Sequence, residues 1–147
     1  AFWITGLAIM PADYDPGLVD TAPLMPTLQA NLEQCQRYYE KSYNMSTVPG
    51  TATTFGGSIH RITDVASSYH TLAHVHFGVP KAGIPTITLY SPQTGTAART
   101  YDLNTTADVV ASTVDIGAQG FNAYLNCVAV AAQHTLATHY VADARIG

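Results

Sequence analysis

Two periodicities divide the chain. Apolar side chains recur at Leu28, Leu32, Cys35 and Tyr39, spacings of four, three and four that put them on one side of an α-helix. Gln29, Glu33, Gln36 and Glu40 fall on the far side, so one short helix is expected to lay its apolar face on a sheet and turn the other to water or a neighbour. Pro26 suits the first turn of that helix. Beyond Tyr43 the pattern changes to short runs rich in Val, Ile, Thr, Tyr and Phe, broken by Gly, Pro, Asn and Ser. Strands are expected near 38–45, 57–66, 69–79, 84–91, 97–103, 107–117, 119–130 and 135–146. A further strand-like run, Phe2 to Ile9, opens the sequence.

The punctuation fits this division. Pro11, Pro16, Pro23 and Pro26 with Gly17 exclude a regular helix or central strand between 11 and 26 and mark a surface crossing. Pro92-Gln93-Thr94-Gly95 and Gly117-Ala118-Gln119-Gly120 are turns between strands, and Gly56-Gly57 is another. All eight prolines lie at or before Pro92, which leaves the last third free to form central, fully paired strands. Short strands with one helix imply a mainly β fold, an antiparallel β-sandwich or jelly roll with one short α-helix. A chain of 147 residues is one domain's length, so residues 1–147 are read as a single β-sandwich module.

Composition changes that picture at the surface. Charged residues make up only 11% of the chain, against roughly a quarter in a typical soluble domain, so part of the surface is expected to face sibling chains. A net charge of −4 with six Lys plus Arg provides no basic stripe for phosphates, which disfavours nucleic-acid binding and electrostatic membrane attachment. No run approaches the roughly 20 apolar residues that cross a bilayer. The chain opens at Ala1 without a starting Met or a secretory pattern, so it is expected to be a fragment of something longer. Cys35 and Cys127 read as helix core and strand core, two buried thiols rather than a disulfide.

The segment Leu32-Glu33-Gln34-Cys35-Gln36-Arg37-Tyr38-Tyr39-Glu40-Lys41-Ser42-Tyr43 resembles the EL-x-x-CQRYY-x-KSY stretch of C-terminal domains in phage and prophage tail fibres and related virion structural proteins. Phe2-Trp3-Ile4-Thr5-Gly6-Leu7 is similar to the strand preceding the family's helix, although Ala8, Ile9 and Met10 depart from its end. Downstream, Phe77-Gly78-Val79-Pro80, then Ile84 to Pro92, Gly120-Phe121 and Tyr140 to Ile146 keep the family's order. The resemblance implies a β-sandwich module, commonly trimeric, at the end of a virion protein that contacts a host surface or caps a fibre. It implies no catalytic residues and no cofactor. Within the motif, Cys35 and Tyr39 share the apolar helix face, and Arg37 has five donors for strand carbonyls or a carboxylate.

Candidate chemistry is sparse. His70, His74 and His76 fall on one face of a strand by period-two spacing, with Ala73, Val75 and Phe77 on the other. In a trimer, His74 and His76 from three chains would offer imidazole nitrogens to a transition metal. Without a Cys or carboxylate at ligand spacing, polar strand residues are the expectation and no metal is assigned. Asp13, Asp15 and Asp20 in the Pro-rich loop, and Asp102, Asp108 and Asp115 at strand ends, read as turn formers rather than a glycosidase pair. Tyr38, Tyr39 and Tyr43 read as core; Tyr69, Tyr101 and Tyr124 are freer to stack on a sugar, though cross-strand packing is the simpler role. The expectation is a non-enzymatic virion module, a homotrimer that binds a host surface glycan; the alternative is a trimerisation or anchoring module without host contact.

Overall fold

The computed structural model describes residues 27–53, 56–63, 69–126 and 134–145. Helix α1 spans Leu28–Gln36, and eight strands follow: β1 Tyr39–Lys41, β2 Ile59–Thr63, β3 Tyr69–His76, β4 Thr86–Tyr90, β5 Arg99–Asp102, β6 Ala107–Val114, β7 Gly120–Asn126 and β8 His134–Asp143. Each expected strand is present among the described residues, with bounds that differ from the expected ones by a few residues. The expected turns at 92–95 and 117–120 join β4 to β5 and β6 to β7. The Thr27 hydroxyl accepts from the Ala30 N–H and fills the N-cap role; Pro26, expected in the first turn, lies outside the described residues.

All described strand pairings are antiparallel. Strand β8 is the hub. Its first half pairs with β2 and β5, while its second half lies between β1 and β4. From β5 the sheet continues through β6 and β7 to β3. It thus curls back on itself into a mainly β, jelly-roll-like arrangement with one helix. The absence of proline beyond Pro92 matters here, because β8 and β7 each need both edges for ladders.

The core fills the space inside the curl. Leu136, Tyr140 and Ala142 from β8 meet Leu89 from β4, Ala111 from β6, Phe121 and Ala123 from β7, and Val75 from β3, with Phe77 just beyond it. Phe121 lies 5.9 Å from the Phe77 ring and 5.4 Å from the Tyr140 ring, separations at which aromatic pairs attract. Alternation along each strand puts these side chains inward and leaves His74, His76, Val110 and Val114 outward.

The helix departs from expectation. No residue of α1 is buried; Leu28 is 86% exposed and Cys35 is an exposed free thiol. Helix and sheet meet mainly at the helix's last turn, where the Gln36 carbonyl accepts from Lys81 and the Arg37 carbonyl from the Ala82 N–H. The chain passes from Gln36 through two residues directly into β1, so α1 runs off the end of the sheet instead of lying across it. Arg37 itself is exposed, and Tyr38 is too, whereas Tyr43 is buried as expected. Cys127 and the run Phe2 to Ile9 lie outside the described residues.

Candidate functional site

The three-stranded part of the sheet, β1-β8-β4, has an inner and an outer face. Glu40, Tyr140, Ala142, Ile87 and Leu89 point inward by strand parity. The outer face carries Tyr39 and Lys41 from β1, His139, Val141 and Asp143 from β8, and Thr86, Thr88 and Tyr90 from β4. Registers Tyr39↔Asp143↔Thr86 and Lys41↔Val141↔Thr88 align these residues in rows across the strands. Tyr39, Thr86, Thr88, Tyr90, Val141 and Asp143, together with Pro49 and Arg145, line an open groove of about 790 Å³.

One end of the groove is closed by the loop after β1. Lys41 binds the Met45 and Thr47 carbonyls at 2.9 and 2.6 Å and folds that loop back over the sheet. The Gly50 N–H donates to the Tyr43 hydroxyl. Gly50 and Gly95 both take positive φ, and a Cβ on Gly95 would lie 2.0 Å from the Gly50 carbonyl, so the two turns touch backbone to backbone only because Gly95 has no side chain. Beneath the loop His139 is fully buried, stacked on Tyr43 at 3.9 Å between ring centroids. Its two nitrogens contact the Ser42 and Thr53 hydroxyls, each at 2.9 Å. Burial, and secondarily the charge of His60, lowers the His139 pKa, so the ring stays neutral under its lid.

The other end is open and polar. Arg145 binds Asp143 through two guanidinium nitrogens and lies over the Tyr39 ring, 5.4 Å from its centroid. The guanidinium holds the Asp143 carboxyl below its ordinary range, while burial raises the Tyr39 phenol. Donors and acceptors therefore sit side by side at the groove mouth, with Thr86 and Thr88 hydroxyls along its floor and aromatic rings near each end. Such a surface suits a neutral ligand rich in hydroxyls and with apolar ring faces.

The residues singled out from the sequence are elsewhere. His74 and His76 share the outer face of β3, exposed as expected, with ring centroids 4.4 Å apart. The side chains of His70 and Tyr69, and all of Asp13, Asp15 and Asp20, lie outside the described residues. Tyr101 and Tyr124 are half-buried on β5 and β7, away from the groove. Asp102 is buried and binds His134 at 2.5 Å, the Asn104 N–H and the Thr105 hydroxyl. Burial alone would raise the Asp102 pKa, but those hydrogen bonds outweigh it and the net shift is downward. Asp108 accepts from Ser91 and Thr94 and pins the β4–β5 turn. Among the described residues no three His, Cys, Asp or Glu side chains gather as a metal cluster.

Sequence reasoning placed Tyr39 in the core and passed over Tyr90, Asp143 and Arg145. The alternation of Thr86, Thr88 and Tyr90 with Ile87 and Leu89 was the available signal. No described helix is long and apolar enough to cross a membrane. Comparisons with protein-family models, curated proteins and solved structures give no match to this chain.

Proposed function

We propose that this chain is a non-enzymatic binding module of a virion fibre or spike, and that the outer groove of β1-β8-β4 takes a neutral host-surface glycan. The observation that carries the binding reading is the placement of Tyr39 and Tyr90 in one groove with Thr86 and Thr88 between them and the Asp143–Arg145 pair at its mouth. Tyrosine rings offer platforms to the C–H face of a sugar, and an adjoining carboxylate and guanidinium engage neighbouring hydroxyls as acceptor and donor. A chain with 11% charged residues has little with which to hold an ionic ligand. The virion setting rests on the resemblance of the Leu32 to Tyr43 segment to phage fibre modules.

A glycan array probed with the purified chain tests this reading. Binding to a subset of neutral glycans is expected, with Tyr39→Ala and Tyr90→Ala each weakening it about tenfold, which corresponds to about 1.4 kcal/mol per ring. Background signal across the array, or binding that ignores both substitutions, would remove the groove from consideration.

A second reading, trimerisation or anchoring without host contact, draws on a different observation. Leu28 on α1 and Met45 and Val48 in the following loop are each at least 70% exposed, an unusual set of large apolar side chains left to water. None of the three lines the groove, so self-association and ligand binding are compatible in one molecule.

A further inference from the structure

We infer that His74 and His76 form a two-imidazole site for a divalent transition-metal ion on the outer face of β3, independent of the glycan groove. The argument begins with the hydrogen-bond chain that orients His74. Asp115 accepts from the Asn122 amide nitrogen at 2.8 Å, so the Asn122 carbonyl oxygen is turned to His74 Nδ1, also at 2.8 Å. A carbonyl oxygen only accepts, so Nδ1 carries the proton and a neutral His74 presents its lone pair at Nε2. A carboxylate acting through an amide on the far nitrogen both fixes the tautomer and makes the ligating nitrogen more basic, which is how metal-binding histidines are commonly supported.

The two rings are neighbours on this face, in edge-to-face contact. His76 is the cross-strand partner of Gly120, and His74 Nε2 leans over that same residue, 3.4 Å from where a Cβ would stand. A Cβ on Gly120 would stand only 2.2 Å from the Val75 carbonyl oxygen, so this position admits only glycine and no side chain comes between that backbone and the His74 ring. A metal–nitrogen bond of about 2.1 Å puts each imidazole centroid roughly 3.2 Å from the ion, so two ligands at 90–110° have centroids about 4.5–5.2 Å apart. The observed 4.4 Å, with ring planes 69° apart, falls just below that span, so a small outward rotation of the exposed rings brings them to the separation two ligands need. Both side chains are exposed, so an ion reaches them from solvent and water fills its remaining positions. Imidazole ligands suit Cu²⁺, Ni²⁺ and Zn²⁺, with Cu²⁺ held most tightly.

The test is calorimetric titration of the tag-free chain with Cu²⁺, Ni²⁺ and Zn²⁺, accompanied by electron paramagnetic resonance of the copper form. One ion per chain is expected, with affinity for Cu²⁺ above that for Ni²⁺ and Zn²⁺ and nitrogen couplings from two imidazoles. His74→Ala and His76→Ala should each lower affinity at least tenfold while leaving the circular dichroism unchanged, since both side chains face water. Asn122→Ala keeps both ligands but should weaken binding 10- to 100-fold. The site is overturned if no saturable binding occurs, or if a stoichiometric ion survives both histidine substitutions undiminished.

Discussion

A single buried ring shows how individual residues set the molecule's response to acid. His139 is neutral in the folded state because burial disfavours its charged form, whereas in the unfolded chain it takes up a proton near the ordinary value of 6.5. The unfolded state therefore binds more protons as pH falls below about 6.5, and stability, fully present above that value, declines toward the lowered folded pKa. His139→Phe should keep the stack on Tyr43 but leave the Ser42 and Thr53 hydroxyls without their ring partner, a cost of about 2 kcal/mol at pH 8. Urea unfolding at pH 8 and pH 5.5 should show the substituted protein losing less between the two. A loss equal to wild type would move the acid sensitivity elsewhere. Asp102 acts in a separate, lower window, because its folded pKa lies below the ordinary 3.8 and its contribution disappears only as pH falls through that range. Neither effect was legible in the sequence, since His139 is one of six histidines and only the lid of residues 42–53 distinguishes it.

Among elements, the connection of α1 to the sheet depends on one buried cation. Lys81 is held by Glu40 at 2.5 Å and by the Gln36 and Val79 carbonyls, and it lies 4.6 Å over the Phe77 ring. Tyr140 donates to the second Glu40 oxygen. Lys81→Met would leave the Glu40 carboxylate largely buried without its counter-charge, and chemical denaturation should register a loss of about 3–5 kcal/mol. The double substitution with Glu40→Gln should recover part of that loss; an additive result would mean the two side chains act separately. Strand positions were legible because alternation in runs such as Thr86 to Tyr90 names the buried side regardless of partner. The helix was legible as a helix but not in its packing, because the spacing of Leu28, Leu32 and Cys35 shows which side is apolar and not what covers it. The groove was hidden for a related reason. Its lining comes from Tyr39, Pro49, the outer positions of 86–90 and the outer positions of 141–145, and parity in each strand does not say that β8 brings them together.

For the whole molecule, the low charge and exposed Leu28, Met45 and Val48 lead to a prediction about mass in solution. Light scattering should find a trimer, and Leu28→Lys with Met45→Lys should shift it toward monomer without changing the fold, because both side chains already face water in the single chain. A monomeric wild type would remove the homotrimer from the proposed function and favour a different partner for these side chains. The curled sheet also fixes an order of events during synthesis. Strand β1 finds its ladder partners at Val141 to Asp143, about a hundred residues later, and β2, β4 and β5 likewise need β8. At ~5–20 residues per second a ribosome takes several seconds to cover that distance, and until β8 emerges four strands have an edge they cannot close. The β5-β6-β7-β3 ladders can therefore form before β8 emerges, whereas β1, β2 and β4 must wait for it, and a message cut short before β8 would yield unpaired strand edges rather than a smaller working module.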